Sequence, residues 1–376
     1  MQDYRVRSLK DLLEVYSPSG CEEGLAQLLA QQMAGLGFSV VRDQVGNVIG
    51  GVGEQGPRIL LCGHMDTVPG DIPVRLEGDF LYGRGAVDAK SALAAMLLGC
   101  DLARKRGVAP FRGTVVGVVG EETSSTGIKS LIGRNGSFDL AVFGEPSGAN
   151  QLIIGYKGSL KTQVTCLTSG GHSASPWLSK NSLEEVFEFW KELRQSLLQN
   201  NSIRKFNVLT GCVTGIQGGQ PGNNIPQKAT LDIDLRVPPE IRPEQVIDNV
   251  VNFLRKYERS HEGVRLAIEF TDQCPAFVGL SNSLAVQVFR WAIKKTIGGR
   301  VELLKKTGTS DMNLFAQVHD VPMIAYGPGD STLDHTENER IHIREYLGSI
   351  EVYAKAIERI AVLYRDNQLQ PIPLVE

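Results

Sequence analysis

Apolar positions along this chain follow two different periods. From Ser8 to Gly35 they repeat as in a helix, broken at Ser17-Pro18-Ser19-Gly20, a segment suited to cap a second helix. Short apolar runs at 38–41, 47–52 and 58–62 have the length of strands. Ala89–Arg106, rich in Ala and Leu, predicts a helix, and Thr114–Val119 and Leu140–Phe143 predict strands. Strands alternating with helices predict an α/β layer with a mostly parallel sheet.

Near residue 156 the texture changes. Leu160–Leu167 and Ala229–Val237 alternate as strands, while 181–199 and 242–260 read as helices around a glycine-rich middle, Gly211–Gly222. Helical periodicity returns at 283–297 and 342–364, with a strand at Met323–Ala325 able to rejoin the first sheet. The expected architecture is therefore a catalytic domain from 1–155 and 275–376, with an α+β module, 156–274, inserted between. Gly51-Val52-Gly53-Glu54-Gln55-Gly56 spells a dinucleotide fingerprint, but the strand Pro57-Arg58-Ile59-Leu60-Leu61 follows it. That fingerprint needs a helix there to meet the pyrophosphate, so a tight turn between strands is expected and no nucleotide.

Composition narrows the class. With 376 residues there is room for two domains, and 42% hydrophobic with 22% charged residues is ordinary for a globular protein. A net charge of −3 without a dense basic cluster excludes a nucleic-acid footprint. No apolar stretch approaches the roughly 18–20 residues that span a bilayer. The start, Met1-Gln2-Asp3-Tyr4-Arg5, lacks a signal-peptide core, and six scattered cysteines without a Cys-x-x-Cys pair suit a reducing compartment. A cytoplasmic location is expected.

The chemistry begins at Gly63-His64-Met65-Asp66, which closes the run Ile59-Leu60-Leu61-Cys62. In an extended segment His64 and Asp66 point the same way, and a metal-binding histidine usually donates its other N–H to a carboxylate, which fixes its tautomer and orientation. Further acids stand at the ends of the next runs: Asp88 before a helix, where capping is its bland role, Glu121-Glu122 after one strand, and Glu145 after another. In open α/β sheets ligands bind outside the carboxyl ends of the strands. A fifth ligand has five histidine candidates. Of these, His261, His319 and His342 fit structural positions, His172 reads as a turn residue, and His335 follows the loop Tyr326-Gly327-Pro328-Gly329, which can carry a side chain into a cleft. Two divalent cations against Asp88, Glu122, Glu145 and a bridging hydroxide balance to neutrality. Imidazole with carboxylate suits zinc, with cobalt or manganese tolerated. Glu121 then falls to the role of base toward the attacking water.

Gly63-His64-Met65-Asp66, Gly85-Ala86-Val87-Asp88, Gly120-Glu121-Glu122, Glu145 and Asp334-His335-Thr336, in this order, resemble the M20 family of co-catalytic zinc peptidases and deacylases. The resemblance implies a zinc exopeptidase-like sheet and an inserted lid that also forms a homodimer. It implies His64 and Glu145 on one metal, Glu122 and His335 on the other, Asp88 bridging, Asp66 behind His64 and Glu121 as general base. Gly171-His172-Ser173 is similar to the family's histidine motif, which implies that His172 reaches the partner subunit's site and steadies an oxyanion. Asn224 and Arg236, with Gly308, Thr309 and Ser310, are implied to hold substrate. Gly155-Tyr156-Lys157-Gly158 and Lys306–Asn313 look most like the acetyl-lysine and acetyl-ornithine deacetylases. Removal of an N-acyl group from a small lysine- or ornithine-type substrate is the leading expectation. Release of lysine or ornithine from an acidic amino-group carrier protein is the alternative, with di- or tripeptide hydrolysis beside it. A scaffold that kept the fold and lost activity predicts a missing ligand or base, and every one is present.

Overall fold

A computed structural model describes residues 3–134, 136–199 and 201–367. The first helix is Tyr4–Glu14, earlier than its periodicity predicts, because the Asp3 carboxylate accepts from the Arg5 amide at 3.0 Å and caps it. The second is Glu23–Gly35. Ser17 and Ser19, expected to cap it, turn elsewhere: the Ser17 hydroxyl donates to the Met65 carbonyl and Ser19 to the Asp66 carboxylate.

The described residues form two compact units. One joins the chain up to Gly155 with Gly279–Leu304 and the stretch from Ser310 on; the other is Tyr156–Val278 with Lys305–Thr309. Residues 305–309, assigned from the sequence to the first body, pack with the second because the Lys157 amide donates to the Lys306 carbonyl and Arg236 to Thr309.

In the first unit a mixed sheet runs Ser39–Arg42, Val48–Val52, Arg112–Val118, Arg58–His64, Leu140–Phe143, Met323–Ala325 and Gln151–Tyr156. Its four middle strands are parallel. They are fully apolar in the centre, as a sheet covered on both faces requires. Helix Lys90–Arg106 is buried on nearly every side, with Gly99 against helix Ile343–Arg365. A Cβ at Gly99 would stand 2.5 Å from Tyr353 Cβ and 2.9 Å from the Ile350 carbonyl oxygen, so only glycine permits that approach. A small three-stranded sheet, Arg75–Glu77, Phe80–Tyr82 and Arg340–His342, pairs an early segment of the first unit with a late one.

The second unit is a four-stranded antiparallel sheet in the order Thr210–Gly218, Lys228–Val237, Gly158–Leu167, Arg265–Cys274. Ala229, Leu231, Ile233, Leu235 and Val237 are buried at every second position. They share one core with Val186, Phe189 and Leu193 of helix Ser182–Leu197 and Val246, Val250 and Leu254 of helix Pro243–Ser260.

Among the described residues no helix is long and apolar enough to cross a membrane. All six cysteines are free thiols; burial pushes Cys62 well above the ordinary range, Cys100 to about 12 and Cys166 to about 11. These three behave as small apolar side chains.

Candidate metal centre

The candidate donors gather at the carboxyl ends of the parallel strands. His64 is the last residue of Arg58–His64 and is buried. Its Nδ1 lies 2.8 Å from the Asp66 main-chain carbonyl and 3.6 Å from the Asp66 carboxylate. A carbonyl only accepts, so Nδ1 carries the proton and the Nε2 lone pair faces outward, 3.1 Å from Asp88 Oδ1. A lone pair against a carboxylate oxygen repels unless a proton or a cation sits between. Burial works against protonation of His64, yet its bonds to Asp66 and Asp88 prevail and hold it well above the usual histidine value.

The expected contact between the Asp66 carboxylate and the ring is thus partly replaced. Asp66 Oδ1 accepts from the Glu121 amide at 3.0 Å; Oδ2 accepts from the Glu122 amide at 3.1 Å and from Ser19 Oγ at 2.7 Å. Glu22 Oε1 accepts from the Gly120 amide at 3.1 Å. Three consecutive amides therefore end on two carboxylates. Gly120, at φ +69°, makes the turn that aims them inward. Burial raises the Asp66 carboxyl, but His64, Ser19 and the Glu122 amide outweigh it and leave it below its ordinary value.

Asp88 does not cap the helix that follows it: Ala89 is the N-cap residue, and no side chain bonds there. Instead Asp88 Oδ1 meets His64, and Oδ2 lies 3.2 Å from His335 Nε2. His335 Nε2 is also 3.1 Å from Glu122 Oε1. It stands after the short 3-10 turn Ser331–Leu333 at φ +61°, a left-handed conformation that histidine adopts more readily than branched residues. The two carboxylates raise its pKa to about 10.

One donor atom each from His64, Asp88 and Glu145 lie within 4.8 Å of one another, and so do those of Asp88, Glu122 and His335. Asp88 belongs to both groups. The surrounding charge is negative: burial first, then Glu145, push Glu121 well above the ordinary carboxyl range, and burial lifts Asp311 to about 7. Imidazoles and carboxylates converging on two points, in an excess of negative charge, fit divalent cations.

Several contributors were not legible as chemistry in the sequence. Ser19 and Glu22 brace the Glu121-Glu122 turn, and Arg84 and Glu339, both buried, stand behind Asp88. Their signal lies in pairing over long separations, which spacing does not reveal. Among the other histidines, His319 stacks on Phe315 at 4.2 Å, His261 on Tyr257 at 3.8 Å, and His342 accepts from the Arg344 amide at its helix start.

The remaining expected site residues fall mostly in the second unit. His172 and Asn224 are directly opposed, exposed neighbours on two short paired strands, and His172 Nδ1 accepts from the Ala174 amide. The Arg236 guanidinium donates to Asp234 at 2.8 Å and to Thr309 Oγ1 at 3.2 Å. Together with Gly308 and Lys205 it lines a cavity of about 460 Å³. Ser310, of the first unit, is buried and caps helix Asp311–Phe315: its hydroxyl accepts from the Met312 amide, and its own amide donates to Asn313.

Residues 60–359 match the family model described as peptidase family M20/M25/M40. The chain belongs to this family. Its relatives include the LysW-lysine hydrolase of Deinococcus radiodurans, 32% identical over 94% of this chain and 96% of the relative. Another is the LysW-lysine/LysW-ornithine hydrolase of Saccharolobus solfataricus, 30% identical over 94% of both. Among solved structures, an M20 metallo-carboxypeptidase from Sulfolobus solfataricus superimposes with a TM-score of 0.82 over 96% of this chain and all of that one. At 18% identity it shows the shared fold. This M20 protein is thus a hydrolase acting on amide bonds, from a metal-dependent family, with the mixed α/β fold the strand–helix alternation predicts.

Proposed function

We propose that this M20 hydrolase releases lysine or ornithine from LysW, an amino-group carrier protein, by cleaving the amide that joins them. The observation that carries this is the naming of relatives for that reaction at 30% and 32% identity across 94% of the chain, supported by the two clusters of metal-type donors here. The acetyl-lysine and acetyl-ornithine reading shares the bond and the amino acid and is the less specific statement.

In this reading His64 and Glu145 would hold one divalent cation and Glu122 and His335 a second, with Asp88, common to both groups of donors, serving each; zinc is the best match to the donors. Such cations supply Lewis acidity to the amide carbonyl and acidity to an attacking water. The chain's own part is positional and protonic. Asp66 and Glu22 fix the amides of residues 120–122, so Glu121 and Glu122 leave the same turn in set directions. The Glu121 carboxylate takes a proton from the attacking water and returns it to the leaving amine nitrogen. Its place on that braced turn suits a group that must both accept and donate a proton. Arg236, a planar fork beside Thr309 and Gly308, is assigned to a substrate carboxylate. A homodimer through the second unit, with His172 steadying the oxyanion across it, rests on family resemblance.

The test is to incubate the metal-loaded protein with LysW-lysine, LysW-ornithine, their acetylated amino acids and a dipeptide panel. Release of lysine or ornithine from LysW with the highest kcat/KM supports the reading. Turnover of peptides alone removes it.

A further inference from the structure

We propose that the buried Arg84–Glu339 ion pair is a positioning device that sets the metal affinity of the centre, by tying the main chain at Asp88 to the loop that carries His335. This rests on the two-cation reading above and adds to it two residues that contact no donor atom of the centre.

The small three-stranded sheet explains why these residues meet. Phe80–Tyr82 pairs with Arg340–His342, with Leu81 opposite Ile341 and both buried. The pairing runs one step further, as the Gly83 amide donates to the Glu339 carbonyl at 3.3 Å. Glu339 is thereby fixed beside the Gly83–Asp88 segment, although 251 positions separate it from Asp88. Its Oε1 accepts from two consecutive amides, Val87 at 2.9 Å and Asp88 at 3.0 Å. Its Oε2 accepts from Arg84 Nη1 at 2.8 Å.

The guanidinium completes the tie. Arg84 Nη1 also donates to the Thr336 carbonyl at 3.1 Å, and Nε donates to the Gly70 carbonyl at 2.8 Å. Thr336 is the residue after His335. Both ends of the pair thus land within one residue of a proposed ligand. Asp88 must present one oxygen to His64 and the other to His335, 3.1 and 3.2 Å away, so the direction of its main chain decides whether both groups of donors close at once. His335 holds a left-handed backbone conformation, which persists where its surroundings over-determine it. The Arg84 bond to the next carbonyl is one such restraint.

A buried ion pair is weak evidence of a role in stability, since apolar replacements are often neutral. Partners that orient metal ligands, by contrast, typically change metal affinity about 10- to 100-fold when altered. The experiment therefore reads affinity rather than turnover. Zinc is titrated into metal-free wild type, Glu339→Gln and Arg84→Lys in competition with a chromophoric chelator, with circular dichroism confirming that each is folded. Glu339→Gln keeps the size and removes the charge. Arg84→Lys keeps the charge and removes the planar fork that reaches three oxygens, and it carries the test should Glu339→Gln fail to fold. The expected result is two zinc ions in wild type and a weaker-binding step lost by about 10- to 100-fold in the folded variants. Two ions in wild type, with both steps within about two-fold in the folded variants, overturn the inference alone. Fewer than two ions in wild type overturn the two-cation reading, and the inference with it.

Discussion

Replacing Asp66 by Asn removes one charge and alters almost no volume at a fully buried position. The carboxylate receives three donors: the Glu121 amide on Oδ1, and the Glu122 amide and the Ser19 hydroxyl on Oδ2. An asparagine offers one oxygen and one NH2. With the NH2 on the Oδ2 side, Ser19 can rotate to accept, but the Glu122 amide meets a donor. With the NH2 on the Oδ1 side, the Glu121 amide does. Either orientation strands one buried N–H, at about 1–3 kcal/mol. If that energy appears in the transition state, where the Glu121-Glu122 turn must be in place, kcat/KM falls about 5- to 150-fold. Ser19→Ala removes only a donor from an otherwise satisfied carboxylate and should cost a few-fold at most, about 1 kcal/mol. The assay is steady-state kcat/KM for wild type and both variants, with zinc content and thermal unfolding measured on the same preparations. A folded Asp66→Asn protein within two-fold of wild type at equal zinc content would show that the Asp66 carboxylate does not set the Glu121-Glu122 turn for catalysis.

Glu121→Gln should leave zinc content unchanged and lower kcat by about 10²- to 10⁴-fold, the usual worth of a positioned acid–base group; retained turnover removes Glu121 as base. Gly327→Ala places a Cβ 2.7 Å from Ala92 Cβ and 2.8 Å from the Glu145 carbonyl oxygen, both rigid. Denaturant unfolding should show about 1–3 kcal/mol of lost stability, and an unaffected midpoint would show that this packing yields freely. Lys157 is buried, its ammonium donating to the Lys205 and Val208 carbonyls and to Thr210, and burial with the nearby Arg236 charge lowers its pKa to about 8 from 10.5. Between those values the unfolded chain binds the proton that the folded one has released, so stability rises with pH. A penalty of about 3 kcal/mol is in force below pH 8 and is relieved by pH 10.5. The stability difference between wild type and Lys157→Met should climb across that window, and a flat difference would show the ammonium is not strained.

The clustered donors of the candidate centre were readable from the sequence because they are chemically distinctive, and three of them stand at or just past the end of an apolar run. His64 ends one strand of the parallel sheet, and Glu122 and Glu145 follow two others, at the same edge. What spacing did not show are contacts made through main-chain groups between distant segments. Glu339 by itself reads as a surface charge; its meaning lies in two amides and a guanidinium on a segment more than 250 positions away. Glu22 is similar, with its carboxylate on the Gly120 amide 98 positions on. Local rules also competed. Asp88 has the composition of a cap, yet its side chain turns to two histidines, whereas Ser310 sits in a stretch read for substrate and caps a helix. Residues 305–309 pass to the second unit through hydrogen bonds that no composition shift announces.

In the proposed function the clustered donors serve hydrolysis of a lysine or ornithine amide on LysW. Mass spectrometry of LysW-lysine and LysW-ornithine, incubated with zinc-loaded wild type and with zinc-loaded Glu121→Gln, tests it most directly. Wild type should shed the amino acid from LysW while Glu121→Gln leaves the conjugate intact. A conjugate untouched by wild type, or cleaved equally by the variant, would contradict it.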